Sequence, residues 1–327
     1  LLTLATLVLC SCAATPRRFP LKPPMWVDRD QNHVPKTPSE YYSGLLADGA
    51  DQMVFRPLAE LFAFHLPGES VNVNAVDEVP NSSWFHNRIG LFDVSPERAR
   101  KAACGDTPPL DPNKGPWVVT GAKPNGANPG FFIKTPQGRF LLKFDSALQP
   151  QRATAADVIG SKIYWAAGYH SPCNQIVYFR RDIIKIGKKA KTKDQYGNKR
   201  KATQADIDKV LAAAFRRKNG LLRASASAFV SGRPLGPWRY EGTRSDDPND
   251  VIDHRDRREV RANRLLSAWL NHFDTREQNT LDVWAKEKGR HFIRHYYIDW
   301  GDCFGSRWPN DAMSRRFGHS YYFDARH

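Results

Sequence analysis

"NHFDTREQNTLDVW", residues 271–284, decides how this chain is read. It places His272, Asp274, Arg276 and Asn279 in one polar stretch. Behind it lies "RREVRANRLLSAWLNHF" (257–273), a helix by pattern, with Val260, Leu265, Ala268 and Trp269 near one face and arginines largely elsewhere. Ahead of it, "TLDVW" and "HFIRHYYID" flank "KGR" as a hairpin that runs into Asp299-Trp300-Gly301. The order is helix, polar loop, hairpin, acidic turn.

Upstream the pattern is strand-rich. From Trp117 the chain reads strand, glycine-rich turn, strand, and the runs 131–135 and 139–144 flank "PQG", a natural hairpin turn. "TAADVIGSKIYWAAGY" (154–169) reads as an amphipathic helix ended by Gly168, and "NQIVYF" as the next strand. Lys143 lies on the strand before that helix and Asp157 on the helix itself. Taken singly, Lys143 reads equally as an exposed strand residue, and Asp157 as an anion in a helix's first turn. "GAKPNGANPG" supplies Gly121, Gly126 and Gly130, with Lys123 beside them, but its spacing is not G-x-G-x-x-G, and glycines also simply make turns.

These parts suit phosphoryl transfer, which leaves a protein little covalent work and asks for an oriented hydroxyl and hard oxygen ligands for Mg²⁺. His272-Phe273-Asp274 with Asn279, followed after a hairpin by Asp299-Trp300-Gly301, resembles the catalytic loop and metal-binding turn of kinases. The resemblance implies that Asp274 orients or deprotonates the acceptor, with His272 in the same loop. Arg276 would neutralise charge on the transferred group, and Asn279 and Asp299 would hold Mg²⁺. Lys143, paired with Asp157 where kinases usually carry Glu, would contact the phosphates of ATP or another nucleotide, with Gly126, Gly130 and Lys123 over them.

The fold class expected is α+β. Residues 115–304 resemble an atypical protein-kinase-like fold in the style of phosphoinositide kinases, persistence-toxin kinases and spore-coat kinases. That implies a β-rich N-lobe at 115–235, with a basic insertion at 185–220, and a helical C-lobe at 236–327 that looks truncated. The phrases "VPNSSWFHNRIG", "LLKFD", "GTRSDDPND", "RREVRA" and "RHYYIDWG" are also similar to a family of uncharacterised bacterial envelope lipoproteins, a likeness that supplies no activity.

The N-terminus agrees with the envelope. "LLTLATLVLCSCAATPRR" is too short an apolar run to span a bilayer and reaches Cys12 through Leu9, Cys10 and Ser11, as in a bacterial lipobox. That likeness implies export, lipidation of Cys12 and a membrane-anchored protein facing the periplasm or exterior. Neither a basic n-region nor an initiating Met precedes the run, which reads as a fragment. Residues 13–40, rich in proline and charge, then read as an extended tether, and 41–114 as an N-terminal extension holding a Pro57-interrupted helix (50–64) and a strand, "SVNVNAVDEV". Cys104, Cys173 and Cys303 are the cysteines left over, an odd number, and none has zinc spacing.

A formal charge of +15 favours anionic partners without choosing among them. The basic tract "GKKAKTKDQYGNKRKA" reads as a solvated hairpin, followed by a helix from Thr203 to a stop at Gly220. Tyr196 is its one aromatic residue, so nucleic acid is not expected. The partners expected are a nucleotide, a hydroxyl acceptor on protein, lipid or glycan, and the membrane through the anchor. The alternatives to a phosphotransferase are a catalytically inactive pseudokinase scaffold and a basic module binding an anionic envelope polymer.

Overall fold

The computed structural model describes residues 28–41, 50–55, 58–59, 62, 70–74, 77–123, 128–145, 150–193, 199–272 and 274–305. A π-helical turn (Asp51–Phe55) precedes strand β1 (Arg88–Phe92) and helix α1 (Pro96–Lys101). A sheet follows, built from β2 (Trp117–Ala122), β3 (Gly130–Thr135), β4 (Gly138–Phe144), β5 (Asn174–Phe179), β6 (Ile184–Lys193), β7 (Lys199–Lys201) and β8 (Leu222–Ala228). Helix α2 (Arg152–Ala167) joins β4 to β5, and α3 (Gln204–Ala213) joins β7 to β8. The seven strands lie in the order β5-β8-β4-β3-β2-β6-β7, antiparallel except for β2 against β6. A smaller sheet, β11-β10-β9, is formed by β9 (Arg233–Gly236), β10 (Thr280–Glu287) and β11 (Arg290–Tyr297), and α4 (Arg258–Trp269) lies between β9 and β10 in the chain. The class is α+β.

Alternation along β4 sets the layers. Phe140, Leu142 and Phe144 enter an apolar cluster with Trp117, Phe131, Val177, Phe179 and Leu222, and Ile207 and Leu211 of α3 close it. Because successive strand residues point to opposite faces, Lys143 is turned away from that cluster, toward α2. The β3–β4 turn forms at "PQG", where Thr135 Oγ1 accepts from Gln137 N at 3.1 Å and donates to Gly138 O at 3.1 Å. A second cluster joins α2 to the smaller sheet through Ala156, Tyr164, Trp238, Val260, Leu270, Tyr297, Trp300 and Cys303. Helix α2 is therefore enclosed between two bodies rather than amphipathic at a surface, with Asp157, Gly160 and Ser161 buried along with Tyr164 and Trp165.

Several expectations are corrected. "SVNVNAVDEV" forms bends at 71–73: Val71 is exposed, while Asn72 is buried, donating to Glu259 and accepting from Arg258 N at 2.6 Å. Polar partners on α4 decide that segment against its alternation. Helix α3 starts at Thr203 with a capping box to Asp206 but stops at Ala213, because Ala214 is extended and Phe215 N donates to Asp145 O at 3.0 Å; Gly220 closes a later turn. On α4 the buried face is Glu259, Val260, Asn263 and Ser267, and Leu265 and Trp269 are exposed.

The described part of the expected tether, 28–40, packs as a strap. Val34 is buried, with its N–H on His291 O at 2.6 Å, Ser39 holds Asp246, and Tyr41 N reaches Leu235 O at 2.6 Å. Cys104 and Cys173 form a disulfide, leaving Cys303 free and buried. Among the described residues no helix is long and apolar enough to cross a membrane. The signal-like segment 1–12 with Cys12, residues 13–27 of the tether, and the tail beyond 305 lie outside the described residues.

Candidate functional site

Helix α4 ends in a way that builds the site. Asn271 adopts φ +49°, with its N–H on Ala268 O at 3.1 Å, and His272 N donates to Ser267 O at 2.9 Å. This is a Schellman pair, and Asn is one of the few residues that tolerate the left-handed position. The turn drives His272 into the interior, where it is 2% exposed. Its Nδ1 lies 3.0 Å from Tyr164 Oη, which is 2.9 Å from Ser267 Oγ, and its Nε2 is 3.3 Å from Asp302 Oδ1. Burial would lower its pKa, but Cys303, Asp302 and Tyr164 outweigh it and hold the imidazole well above its usual range. His272, with Tyr164 at one ring nitrogen and Asp302 near the other, orients the loop.

The next residues cross-link two loops. Asp274 N donates to Asp302 Oδ2 at 2.7 Å, Asn279 Nδ2 to Asp274 O at 2.6 Å, and Ile298 N to Asn279 O at 2.9 Å. The Asp274 carboxylate is held by Arg276 through Nε and, at 3.2 Å, through Nη2. Burial and then Asp302 push the Asp274 carboxyl above the ordinary aspartate value, against the pull of Arg276.

The hairpin β10–β11 delivers Asp299 to the sheet. There Lys143 Nζ is 2.7 Å from Asp157 Oδ1 and 2.9 Å from Asp299 Oδ1, and Lys123 Nζ is 3.5 Å from Asp299 Oδ2. Burial alone would lower the Lys143 pKa, but the two carboxylates raise it above that of ordinary lysine. Asp299 is the reciprocal case: burial would raise it, and Lys143 with Lys123 hold it far below the carboxylate range. Asp299 sits at φ +63°, a left-handed conformation pinned by its two ammonium partners. Asp157 Oδ1 also accepts from Trp300 N at 3.2 Å, so one oxygen ties strand, helix and acidic turn together. Trp300 packs against Gly160, where a Cβ would stand 2.6 Å from Trp300 Cβ.

The structure therefore gathers Lys143, Asp157, Asp299 and Lys123 into one group, and His272, Asp274, Arg276 and Asn279 into the loop bonded to it. Gly126 lies outside the described residues. Gly130 is the first residue of β3, where a Cβ would stand 2.3 Å from Leu142 O, so strand pairing itself requires glycine there. Sequence reading missed Asp302 and Tyr164. Asp302 directly follows the Asp-Trp-Gly turn, which is the one hint the chain offered. Ser82 and Ser83, beside Trp84, are turn and anchor residues: Ser82 Oγ accepts from Trp84 N at 3.0 Å, and Ser83 N and Oγ bond Asp30.

The donors present suit Mg²⁺, a hard ion that takes oxygen ligands. Asp299 is 30% exposed at its side chain, and with Asn279 Nδ2 committed to Asp274 O, the amide oxygen is that side chain's remaining ligand atom. No group of three His, Cys, Asp or Glu among the described residues could hold a metal unaided, so further ligands would have to be waters or phosphate oxygens, as is usual for Mg²⁺. A separate cleft of about 370 Å³, between Tyr41, Trp238, Arg239 and Asp246, lies away from this group, and its Arg244 is already paired with Asp246 and Asp282. Comparison with family profiles, curated proteins and solved structures finds no match.

Proposed function

We propose that the chain is a Mg²⁺-dependent phosphotransferase of protein-kinase-like fold at the bacterial cell envelope, moving a phosphoryl group from ATP or another nucleotide to a hydroxyl acceptor. The observation that carries it is Lys143, on a central strand, bonded at once to Asp157 of the next helix and to Asp299 of the turn after the hairpin. Kinase activity needs that pair of contacts, lysine to helix acid and acidic turn to the metal-phosphate group, in place together. The strand order β5-β8-β4-β3-β2, with α2 crossing between β4 and β5, supports the same reading.

In this proposal Lys143 and Lys123 receive the nucleotide phosphates, exchanging part of their hold on Asp299 for phosphate oxygens. Asp274 orients the acceptor hydroxyl. As the acceptor oxygen bonds phosphorus and the bond to the leaving nucleotide oxygen breaks, the hydroxyl proton passes to the Asp274 carboxylate. Its raised pKa makes it a better base than an ordinary aspartate. Bound Mg²⁺ would supply charge neutralisation to the phosphates from the side of Asp299 and Asn279. His272 and Asp302 hold the loop that carries Asp274.

The envelope location rests on the lipobox-like run ending at Cys12 and on the Cys104–Cys173 disulfide, which suits an oxidising compartment. One observation favours a second reading, a pseudokinase scaffold: Arg276 already occupies the Asp274 carboxylate. Transfer from γ-labelled ATP with Mg²⁺ to the chain itself or to a mixed pool of hydroxyl acceptors separates the two. Transfer lost in Asp274→Asn is expected; nucleotide binding with no transfer in either form would select the scaffold.

A further inference from the structure

The ribbon β6–β7, at one end of the seven-stranded sheet, carries a charge pattern that the proposed site does not use. Its register sets Lys191 directly opposite Lys201. Ala190 and Ala202 next to them are 1% and 5% exposed and joined by a bond from Ala202 N to Ala190 O of 2.9 Å. Alternation therefore turns Lys191 and Lys201 to the outer face. Lys199, two residues along β7, falls on that face too, and Lys189, Lys191, Lys199 and Lys201 are all exposed. Arg200, on the other parity, is taken by Asp206 at 2.8 and 2.6 Å. None of the four lysines forms an ion pair with a described residue.

Like charges directly opposed across a strand pair destabilise it. Lysines on an edge strand do protect against aggregation, which accounts for Lys199 and Lys201 on β7. It does not account for Lys191, which is paired on both sides, with Gly121 of β2 and Lys201 of β7. A counter-charge from outside the chain removes the conflict.

We propose that this lysine face docks on the anionic headgroups of a lipid bilayer. Strand geometry sets the backbone positions of Lys191 and Lys201 roughly 5 Å apart across the ribbon and those of Lys199 and Lys201 roughly 7 Å apart along β7, a cluster of single charges that suits a sheet of headgroups. The face holds no arginine fork for bidentate phosphate recognition, and its described residues include no aromatic ring on which a base would stack. Lysines near such a surface each strengthen binding by roughly fivefold. The inference is independent of the phosphotransferase reading.

Co-sedimentation of the full chain with phosphatidylcholine vesicles, with and without about one-third phosphatidylglycerol, tests it. The extra binding due to phosphatidylglycerol should fall roughly twentyfold or more in Lys191→Glu/Lys201→Glu, persist in Lys286→Glu/Lys288→Glu on the exposed end of the smaller sheet's hairpin, and vanish at high salt. Undiminished binding by the ribbon variant would overturn the proposal, as would equal losses in both variants. So would ribbon-dependent binding to duplex DNA without any preference for anionic vesicles.

Discussion

Lys143 and Asp299 lie 156 residues apart in sequence and meet at 2.9 Å. The contact joins the seven-stranded sheet to the turn beyond the β10–β11 hairpin, and Asp157 completes it at 2.7 Å from the same ammonium. A lysine 4% exposed is held charged only by such partners, so the site and the stability of the fold depend on the same atoms.

Lys143→Met should therefore unfold at lower urea, since it leaves the fully buried Asp157 without a counter-charge. Removing one partner of a buried pair costs about 3–5 kcal/mol. Adding Asp157→Leu removes the stranded charge and should restore more than half of that loss in equilibrium denaturation.

Gly160→Ala tests the packing that positions the acidic turn. The new Cβ would meet Trp300 Cβ at 2.6 Å and Cys303 Sγ at 3.2 Å. Overpacking of this kind costs about 1–3 kcal/mol. Displacing Trp300 also pulls its N–H off Asp157, so nucleotide affinity should weaken together with stability.

Asp302→Asn keeps an acceptor for Asp274 N and removes the charge that helps raise the Asp274 pKa. The acid limb of the pH profile for phosphoryl transfer should move to lower pH. A purely structural role for Asp302 would lower the rate and leave the limb where it was.

Asp30 offers a pH test of the strap. Burial, then Asp28, push its carboxyl from 3.8 up to about 6, against the bonds from Ser83. The native state thus binds this proton more tightly than the unfolded chain, so the contribution is full below about pH 4 and lost as pH rises through about 6. Relative to Asp30→Asn, the wild type should lose about 3 kcal/mol across that window. A constant difference in urea stability would contradict it.

What the sequence made legible was local or ordered. The alternation of β4, the "PQG" turn and the capped start of α3 at Thr203 are written in neighbouring residues, and the order of Lys143, Asp157, Asp274, Asn279 and Asp299 along the chain anticipated their gathering. The face of α4 was misread because apolar periodicity marked Leu265 and Trp269, whereas the contacts bury Glu259 against Asn72 and Ser267 against Tyr164. Polar burial of that kind depends on a partner far away in sequence. The strap was hidden for a related reason: Val34 and Tyr41 are fixed by backbone hydrogen bonds, which leave no mark on composition. Asp302 acts across a crossing of two loops, with its bonded partner Asp274 28 residues away.

The most direct test of the central claim is calorimetric titration of ATP into the chain with and without Mg²⁺, beside Asp299→Asn, a variant that preserves the side-chain shape. The account predicts Mg²⁺-dependent binding by the wild type that is lost in Asp299→Asn, measured where urea denaturation shows the variant fully folded, its midpoint lowered by loss of the charge that Lys143 and Lys123 hold. Absence of nucleotide binding by folded wild-type protein, or equal binding by the two proteins, would contradict it.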